Sequence, residues 1–329
     1  MKDAVLVTGG AGFIGSHLVD RLCREGRSVT VLDDFSTGAR RNIIEAEQAG
    51  ASIVQGSVLD DELVESLVAV HPLVFHLAAV VGVRNVLANP LESMMTNIHG
   101  TEHVLQSATR HGSRVLLAST SEIYGRNTRV PFREDDDRVL GPTWTHRWSY
   151  STAKALDEHM AFAYAERGLR FSIVRYFNVY GPRIDESGYG SVVAKFITQA
   201  LSELPLSVHS DGKQTRCFTY ITDAVEGTIR CATRDEAVGK VFNLGSTEEV
   251  SVVGLAELVL EITGSSSPIA LVPYESSYPA GFEDTRRRVP DVTRAREDLA
   301  LEASVALRDG MELTVAWCRK HYGLMGEVK

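Results

Sequence analysis

Short, unbroken apolar runs alternate with segments of helical spacing through the first 180 residues of the chain. Strands that are apolar on both faces are typical of a parallel sheet buried between helices. The alternation therefore predicts an α/β fold with a doubly wound parallel sheet and right-handed crossovers, the Rossmann architecture. The predicted strands lie at residues 4–8, 28–32, 52–55, 73–77, 114–119 and 171–175, with a further one at 241–244.

The pattern changes at about residue 180. Gly181 and Pro182 break the chain, and a Ser-rich break at 265–267 and a charged segment at 283–288 interrupt the later elements. We therefore expect a dinucleotide-binding domain over residues 1–180, joined by a strand near 241–245. A smaller C-terminal substrate lobe is expected over residues 181–329.

Composition excludes several classes of protein. The chain has 329 residues, of which 44% are hydrophobic and 23% charged, as in ordinary globular proteins. The net charge of −9 argues against a nucleic-acid surface, and no apolar stretch is long enough to cross a membrane. The four cysteines lie far apart without metal-ligand spacing. We expect reduced thiols, no metal site and a cytoplasmic location.

A glycine-rich turn joins the first predicted strand to the first predicted helix. Gly9, Gly12 and Gly15 are spaced to permit a tight turn and the close approach of a pyrophosphate to a helix N-terminus. Asp33 follows the second strand, near the spacing expected of a residue that bonds the adenosine ribose hydroxyls. Because a carboxylate there would repel a 2′-phosphate, NAD is favoured over NADP. A redox-silent nucleotide sensor on the same fold is the alternative.

Tyr150 and Lys154 are four residues apart and share one face of a predicted helix. A tyrosine is a poor base at neutral pH unless a cation stabilises its phenolate, and Lys154 can supply part of that field. Thr120 follows the fifth strand, at the edge of the sheet where ligands of such folds bind, and its hydroxyl can bond a sugar hydroxyl and the Tyr150 oxygen. These three residues indicate an acid–base centre.

Taken together, these motifs resemble the extended short-chain dehydrogenases/reductases that act as nucleotide-sugar epimerases, dehydratases and decarboxylases. The resemblance is carried by residues 8–15, Asp33, 76–79, Asn97, Thr120, Tyr150, Lys154 and 177–182. It implies an NAD that is reduced and reoxidised within one turnover, and a homodimer made by the helices over 91–111 and 148–166. The implied cofactor contacts are Gly9, Gly12, Phe13, Ile14, Gly15, Asp33, Leu77, Ala78, Ala79, Tyr150 and Lys154. Ser57 departs from the group's usual aspartate near the adenine.

The resemblance leaves three reactions open, all of which begin with oxidation at the sugar C4. The Thr120-Ser121-Glu122 sequence resembles decarboxylases and GDP-mannose dehydratases, whereas simple 4-epimerases carry a small or neutral residue at Glu122. Glu122 is therefore a candidate catalytic residue, and a solvated loop acid is the alternative. The stretches 147–151, 212–219 and 281–291 resemble UDP-glucuronate decarboxylases. In contrast, the loop 80–86 resembles the epimerases, in which it touches the sugar, so Arg84 is a candidate substrate contact. Ser121, which follows Thr120, is a second candidate. A UDP-glucuronate decarboxylase is the leading prediction, ahead of a 4-epimerase and a 4,6-dehydratase.

Several other polar residues are candidate ligands of a nucleotide-sugar. The resemblance implies that Asn178 and Arg216 hold the diphosphate, although Arg216 is also compatible with a role at the reacting carbon. The arginines at 286–288, among them Arg288, are assigned to the diphosphate because arginine offers bidentate donors. Arg183 either pairs with a sugar carboxylate or lies on the surface. The acidic run at 134–137 is interpreted as a solvated loop.

Overall fold

A seven-stranded parallel sheet lies at the centre of the protein. The computed structural model describes residues 4–185, 191–276 and 284–322. The strands of the central sheet run in the order β3-β2-β1-β4-β5-β6-β11, and neighbouring strands are parallel. The strands along the chain are β1 (Ala4–Thr8), β2 (Ser28–Asp33), β3 (Ser52–Gln55), β4 (Leu73–His76), β5 (Arg114–Thr120), β6 (Arg170–Tyr176), β7 (Val179–Tyr180), β8 (Leu206–His209), β9 (Thr215–Cys217), β10 (Thr219–Tyr220), β11 (Val241–Leu244), β12 (Glu249–Ser251), β13 (Ile269–Val272) and β14 (Arg287–Arg288).

Helices follow most of these strands and cover the sheet. They are α1 (Phe13–Arg24), α2 (Ile44–Gln48), α3 (Asp61–Val68), α4 (Val83–Ala88), α5 (Pro90–His111), α6 (Ser149–Ala165), α7 (Val192–Leu201), α8 (Ile221–Thr233), α9 (Val252–Thr263), α10 (Thr293–Leu299) and α11 (Leu307–His321). The predicted Rossmann fold is confirmed. In the described residues no helix is both long and apolar enough to cross a membrane.

The core is divided by the sheet, because successive side chains of a strand point to opposite faces. In β1, Val5 and Val7 belong to one apolar cluster and Leu6 to another. The cluster around Leu6 is completed from α3, α5 and α6, whereas the cluster around Val5 extends to Tyr180 and beyond into the later part of the chain. This shared core fixes the later segments against the carboxyl end of the sheet.

The later segments form three small sheets. β9 lies between antiparallel β12 and parallel β14, β8 pairs with β13, and β7 pairs with β10. Within the first of these, Arg216 and Arg288 are direct register partners. Two arginines that are far apart in sequence therefore lie side by side.

The acidic run at residues 134–137 differs from the prediction of a solvated loop. Only 5% of the Glu134 side chain is exposed, and it accepts a hydrogen bond of 2.8 Å from the backbone N–H of Asn243. Asp135 is 75% exposed, as predicted for a solvated acid. The prediction fails at Glu134 because this carboxylate binds the backbone of β11, a strand that is distant in sequence.

Candidate active site

The glycine-rich turn between β1 and α1 has no room for side chains at two of its predicted positions. Gly9 has a φ of +72°, and a Cβ there would lie 2.7 Å from the backbone nitrogen of Ala78. A Cβ on Gly15 would lie 2.1 Å from the carbonyl oxygen of Gly9. Such a bare backbone turn at a helix N-terminus fits the pyrophosphate of a dinucleotide.

The strand end at residues 77–79 packs directly on this turn. The Leu77 N–H donates to the Thr8 carbonyl at 3.1 Å, and the Ala78 N–H donates to the Thr8 hydroxyl at 3.2 Å. These contacts place the predicted cofactor residues Leu77 and Ala78 beside Gly9. Phe13 and Ile14 begin α1, where both pack against the core.

Asp33 lies at the end of β2, and its buried carboxylate braces the turn. Its two oxygens accept backbone N–H bonds from Ala11 at 2.8 Å and from Phe35 at 2.9 Å. Burial raises the pKa of Asp33, while these two bonds act against that rise. Because each carboxylate oxygen can accept a second hydrogen bond, Asp33 retains the capacity to bind ribose hydroxyls.

The predicted acid–base residues converge at the end of β5 and the start of α6. Thr120 ends β5, and its hydroxyl accepts the Glu122 N–H at 3.1 Å. Burial raises the pKa of Tyr150, the nearby charges of Glu122 and Asp157 raise it further, and a hydrogen bond with Thr120 acts in the opposite direction. Lys154 is 3% exposed, so its ammonium lies out of water.

Glu122 forms a buried cluster with two arginines. One of its carboxylate oxygens lies 2.5 Å from Nη2 of Arg147, and the other accepts a hydrogen bond of 2.6 Å from Nη1 of Arg288. The three side chains are 16%, 4% and 6% exposed. Burial alone would raise the pKa of Glu122, but the two guanidinium groups outweigh it and lower the pKa to about 2. Glu122 is therefore a permanent carboxylate at neutral pH.

Arg216 and Asn178 lie on the same side of the protein as this cluster. Arg216 is buried and donates to Asp284 at 2.8 Å, and the charges of Arg288 and Glu122 act on its guanidinium. Asn178, with a φ of +38°, donates to the carbonyl of Cys217 at 2.9 Å. Both predicted substrate residues are thus held at the junction between β9 and the end of β6.

Three of the predicted arginine ligands pair with carboxylates of the protein. Arg183 lies 2.7 Å from Asp20 of α1, while its Nη1 is buried without a hydrogen bond within the described residues, so its assignment to the substrate stays a prediction. Arg286 pairs with Asp211, and both side chains are exposed. Similarly, the exposed Arg287 pairs with Glu249.

Among residues 286–288, Arg288 is the one that is buried and bonds Glu122, and its predicted role as a diphosphate ligand stays a prediction. β14 is a strand of two residues, and it buries Arg288 while leaving Arg287 exposed. Ser121 is buried at the start of the 3₁₀ turn. The side chain of Arg84 lies outside the described part of the structure, so its assignment stays a prediction.

Two site residues were absent from the predicted set. Arg147 belongs to the stretch 147–151 that resembles UDP-glucuronate decarboxylases, but the sequence assigns it no role of its own. It lies three residues before Tyr150, on the short turn that leads into α6. Asp157 lies three residues after Lys154, on the same face of α6, and its carboxylate is 2.8 Å from the lysine nitrogen. Helical spacing from Lys154 is a signal that points to Asp157.

A glycine turn on a Rossmann sheet with a tyrosine–lysine helix beside it defines a dinucleotide-dependent enzyme of the short-chain dehydrogenase type. The chain belongs to the NAD dependent epimerase/dehydratase family, whose model matches residues 5–245. The predicted enzyme class and the predicted NAD cofactor are both confirmed.

Three relatives illustrate the range of the family. A UDP-N-acetyl-alpha-D-glucosaminuronate decarboxylase of Bacillus cytotoxicus is 44% identical over 97% of this chain and 99% of its own length. UDP-glucuronic acid decarboxylase 1 of Xenopus tropicalis is 36% identical over 97% of this chain and 73% of its own. A UDP-glucuronic acid 4-epimerase of Bacillus cereus, solved with UDP-glucuronic acid and NAD, is 28% identical with a TM-score of 0.87, over 96% of this chain and 99% of that one.

Proposed function

We propose that this protein is an NAD-dependent decarboxylase of a UDP-linked uronic acid. The observation that carries the proposal is the buried cluster of Glu122 with Arg147 and Arg288. Nε of Arg288 is buried and makes no hydrogen bond within the described residues. A guanidinium binds carboxylates through parallel N–H donors, and an unused buried donor is costly unless a ligand supplies an acceptor. A sugar carboxylate supplies one.

The first step of the proposed reaction depends on Thr120, Tyr150 and Lys154. When bound, NAD supplies the acceptor and later the donor of the C4 hydride. Tyr150 takes the proton of the C4 hydroxyl, Thr120 orients that hydroxyl and the phenol, and Lys154 stabilises the phenolate. Because burial raises the pKa of Tyr150, the lysine charge is needed for the tyrosine to act as a base.

The second step follows from the chemistry of the oxidised sugar. A uronic acid with a ketone at C4 is a β-keto acid, which loses carbon dioxide without a metal or a further nucleophile. The Arg288 guanidinium orients the departing carboxylate and stabilises the enolate that forms when the C5–C6 bond breaks. Solvent protonates the enolate at C5, the C4 ketone takes its hydride back, and Tyr150 returns its proton to the C4 oxygen. Glu122 remains ionised at neutral pH, so its proposed role is to hold the two arginines in place, and it is not the general acid.

The relatives indicate which uronic acid to test first. We propose UDP-N-acetylglucosaminuronate as the preferred substrate, because the relative that is named for it is 44% identical over nearly the whole of both chains. UDP-glucuronate, the substrate named for the Xenopus tropicalis relative, is the second choice. Arg216 and Asn178 are the proposed diphosphate ligands in either case.

A C4 epimerase is the second candidate, and the structural likeness to the UDP-glucuronic acid 4-epimerase of Bacillus cereus favours it. That likeness shows that a uronate is compatible with epimerisation on the same scaffold. In an epimerase the ketone must survive, rotate and take the hydride back on its other face. The two reactions therefore differ in how long the carboxylate remains after oxidation.

The deciding experiment incubates the purified protein with NAD and each of four nucleotide-sugars: UDP-N-acetylglucosaminuronate, UDP-glucuronate and their two neutral hexose counterparts. Mass spectrometry is expected to show loss of carbon dioxide from a uronate. Unchanged mass with new NMR couplings would instead support epimerisation, and loss of water would support dehydration. Failure to turn over any nucleotide-sugar would support a non-catalytic sensor and contradict the proposal.

We further propose a homodimer formed through α5 and α6. These helices pack on each other, and their outer surfaces expose large apolar side chains, notably Leu91 (69% exposed) and Leu156 (42%). We infer that these side chains belong to one interaction surface, because contiguous exposed apolar patches mark such sites. We also propose a cytoplasmic location, because the four cysteines, all described, form no disulfide and suit a reducing compartment.

A further inference from the structure

A buried carboxylate beside the tyrosine–lysine pair has no part in the steps described above. Asp157 lies on α6, and its Oδ2 is 2.8 Å from Nζ of Lys154. The Asp157 side chain is fully buried, and that of Lys154 is 3% exposed. Two charges buried in this way depend on each other, because removing one partner leaves the other uncompensated in a poor solvent for charge.

A chain of polar contacts connects Asp157 with the turn that follows β1. Thr101 of α5 lies near Asp157 and lowers its pKa, although neither Asp157 oxygen makes a hydrogen bond of regular geometry within the described residues. The Thr101 hydroxyl lies 3.1 Å from Nε2 of His76, and Nδ1 of His76 lies 2.8 Å from the hydroxyl of Thr8. Thr8 immediately precedes Gly9 and accepts the Ala78 N–H. The contacts therefore extend from α6 to Thr8, the residue immediately before the glycine turn.

His76 joins the hydroxyls of Thr8 and Thr101 as a neutral imidazole. Burial, assisted by the charge of Lys154, lowers the pKa of His76 to about 3, so the imidazole is neutral at physiological pH. A neutral imidazole has one donor and one acceptor nitrogen. When the Thr8 hydroxyl donates to Nδ1, Nε2–H donates to the Thr101 hydroxyl, whose own O–H remains available as a donor.

We propose that Asp157 is a positioning residue for the tyrosine–lysine pair: it fixes the Lys154 ammonium and ties it to the strand end that carries the glycine turn. This inference rests on the proposed role of Tyr150 as the base. No step of the reaction requires Asp157 to touch the substrate. Its contribution is to keep the ammonium at one place on the face of α6 that Lys154 shares with Tyr150.

Electrostatics provides a second consequence of the same geometry. Burial is the main cause of the raised pKa of Tyr150. Three groups from neighbouring elements also act on this pKa: Glu122 and Asp157 raise it, and Thr120 lowers it. The pKa of Asp157 is raised by burial, lowered by Lys154 and Thr101, and raised by Glu158. Loss of the Asp157 charge is therefore expected to lower the pKa of Tyr150, because that negative charge disfavours the phenolate.

Nitrogen-15 NMR of the lysine ammonium groups tests the positioning directly, without turnover. The full-length protein is labelled at its lysine side chains, and the Lys154 signal is assigned by its loss in Lys154→Gln. In the wild type we expect slow hydrogen exchange at this buried, paired ammonium. Asp157→Asn should accelerate that exchange at least about tenfold, as expected when a partner worth more than 1.4 kcal/mol is lost. Unchanged exchange in this variant would overturn the proposal.

The pH profile of kcat/KM supplies a second readout that a purely structural residue would not move. The acidic limb is expected to shift to lower pH by about one unit in Asp157→Asn, because a nearby charge shifts a pKa by this order. Glu166→Gln, which removes one negative charge from the exposed C-terminal end of α6, is the matched control and should shift neither readout. A limb that stays in place in Asp157→Asn would contradict the electrostatic part.

Thr101→Val keeps the tests decisive even when Asp157→Asn does not fold. It preserves shape while cutting the contact chain between His76 and Asp157, and should accelerate Lys154 exchange by about threefold, the effect of losing one ordinary hydrogen bond. Wild-type exchange in Thr101→Val would refute the link to the glycine turn. Because NMR needs no substrate, failure of the proposed decarboxylation and failure of this inference are distinguishable.

Discussion

Replacing Glu122 by glutamine should produce a large and pH-dependent loss of stability. The pKa of Glu122 falls from its ordinary value of 4.5 to about 2, because Arg147 and Arg288 bind its ionised form. Each pKa unit corresponds to about 1.4 kcal/mol, so the folded protein gains about 3 kcal/mol from this carboxylate at neutral pH. The side chain is only 16% exposed, so solvent screening removes little of this energy.

The sign of the pH dependence follows from the depressed pKa. Stability from Glu122 is fully present above the unfolded-state pKa near 4.5 and is lost as the pH falls towards 2. Urea unfolding of the wild type and of Glu122→Gln should therefore differ by about 3 kcal/mol at pH 7. Below about pH 4.5 the gap should close by about 1.4 kcal/mol for each pH unit, because the wild-type carboxylate becomes protonated only in the unfolded chain.

Glu249 provides a matched control one strand away. It accepts two hydrogen bonds from Arg287, and its pKa is also lowered to about 2, first by hydrogen bonding to that arginine. However, the Arg287 side chain is 55% exposed, so Glu249→Gln should cost less than about 1 kcal/mol. A Glu122→Gln loss as small as that of Glu249→Gln, or a gap that stays constant down to pH 3, would refute the reasoning.

Three further outcomes are expected. Gly15→Ala should weaken NAD binding by roughly tenfold or more in calorimetry, because its Cβ would lie 2.1 Å from the Gly9 carbonyl oxygen. Gly12→Ala should have a smaller effect, because its Cβ would lie 3.2 Å from the same atom. Equal affinities in the two variants would contradict this. Tyr150→Phe should retain NAD affinity but lose about 10²- to 10⁴-fold in kcat, measured by product formation, since the base is removed; near-normal turnover would exclude Tyr150 as the base. Leu156→Asp should shift a dimer to monomer in analytical ultracentrifugation, with the exposed Leu313→Asp on α11 as control, and an unchanged sedimentation coefficient would argue against an α5–α6 interface.

The sequence was sufficient to predict the sheet, the glycine turn and the tyrosine–lysine pair. Each of these depends on local spacing: apolar runs of strand length, glycines three residues apart, and side chains at i and i+4 of one helix. The structure confirms the Rossmann fold, and it places Thr120 within hydrogen-bonding reach of Tyr150. Features that depend on spacing within one or two secondary-structure elements can therefore be predicted from the sequence.

The surroundings of Glu122 were not predictable in the same way. Its partner Arg288 lies 166 residues away, on a two-residue strand whose register buries Arg288 and exposes Arg287. Nothing in the local sequence distinguishes the three consecutive arginines. The pairing of Arg183 with Asp20 is equally hidden from the sequence, because Asp20 is on α1. Long-range ion pairs decide these roles, and spacing along the chain does not encode them.

This division between local and long-range contacts matches the division of the proposed reaction. The residues proposed to oxidise C4 lie at the end of β5 and on α6. The proposed carboxylate site combines Glu122, in the turn after β5, with Arg288 of the later segments. A change in how β14 meets β9 would therefore alter the fate of the ketone without disturbing the oxidation. Relatives with one scaffold and one oxidising pair can accordingly differ in whether they decarboxylate or epimerise a uronate.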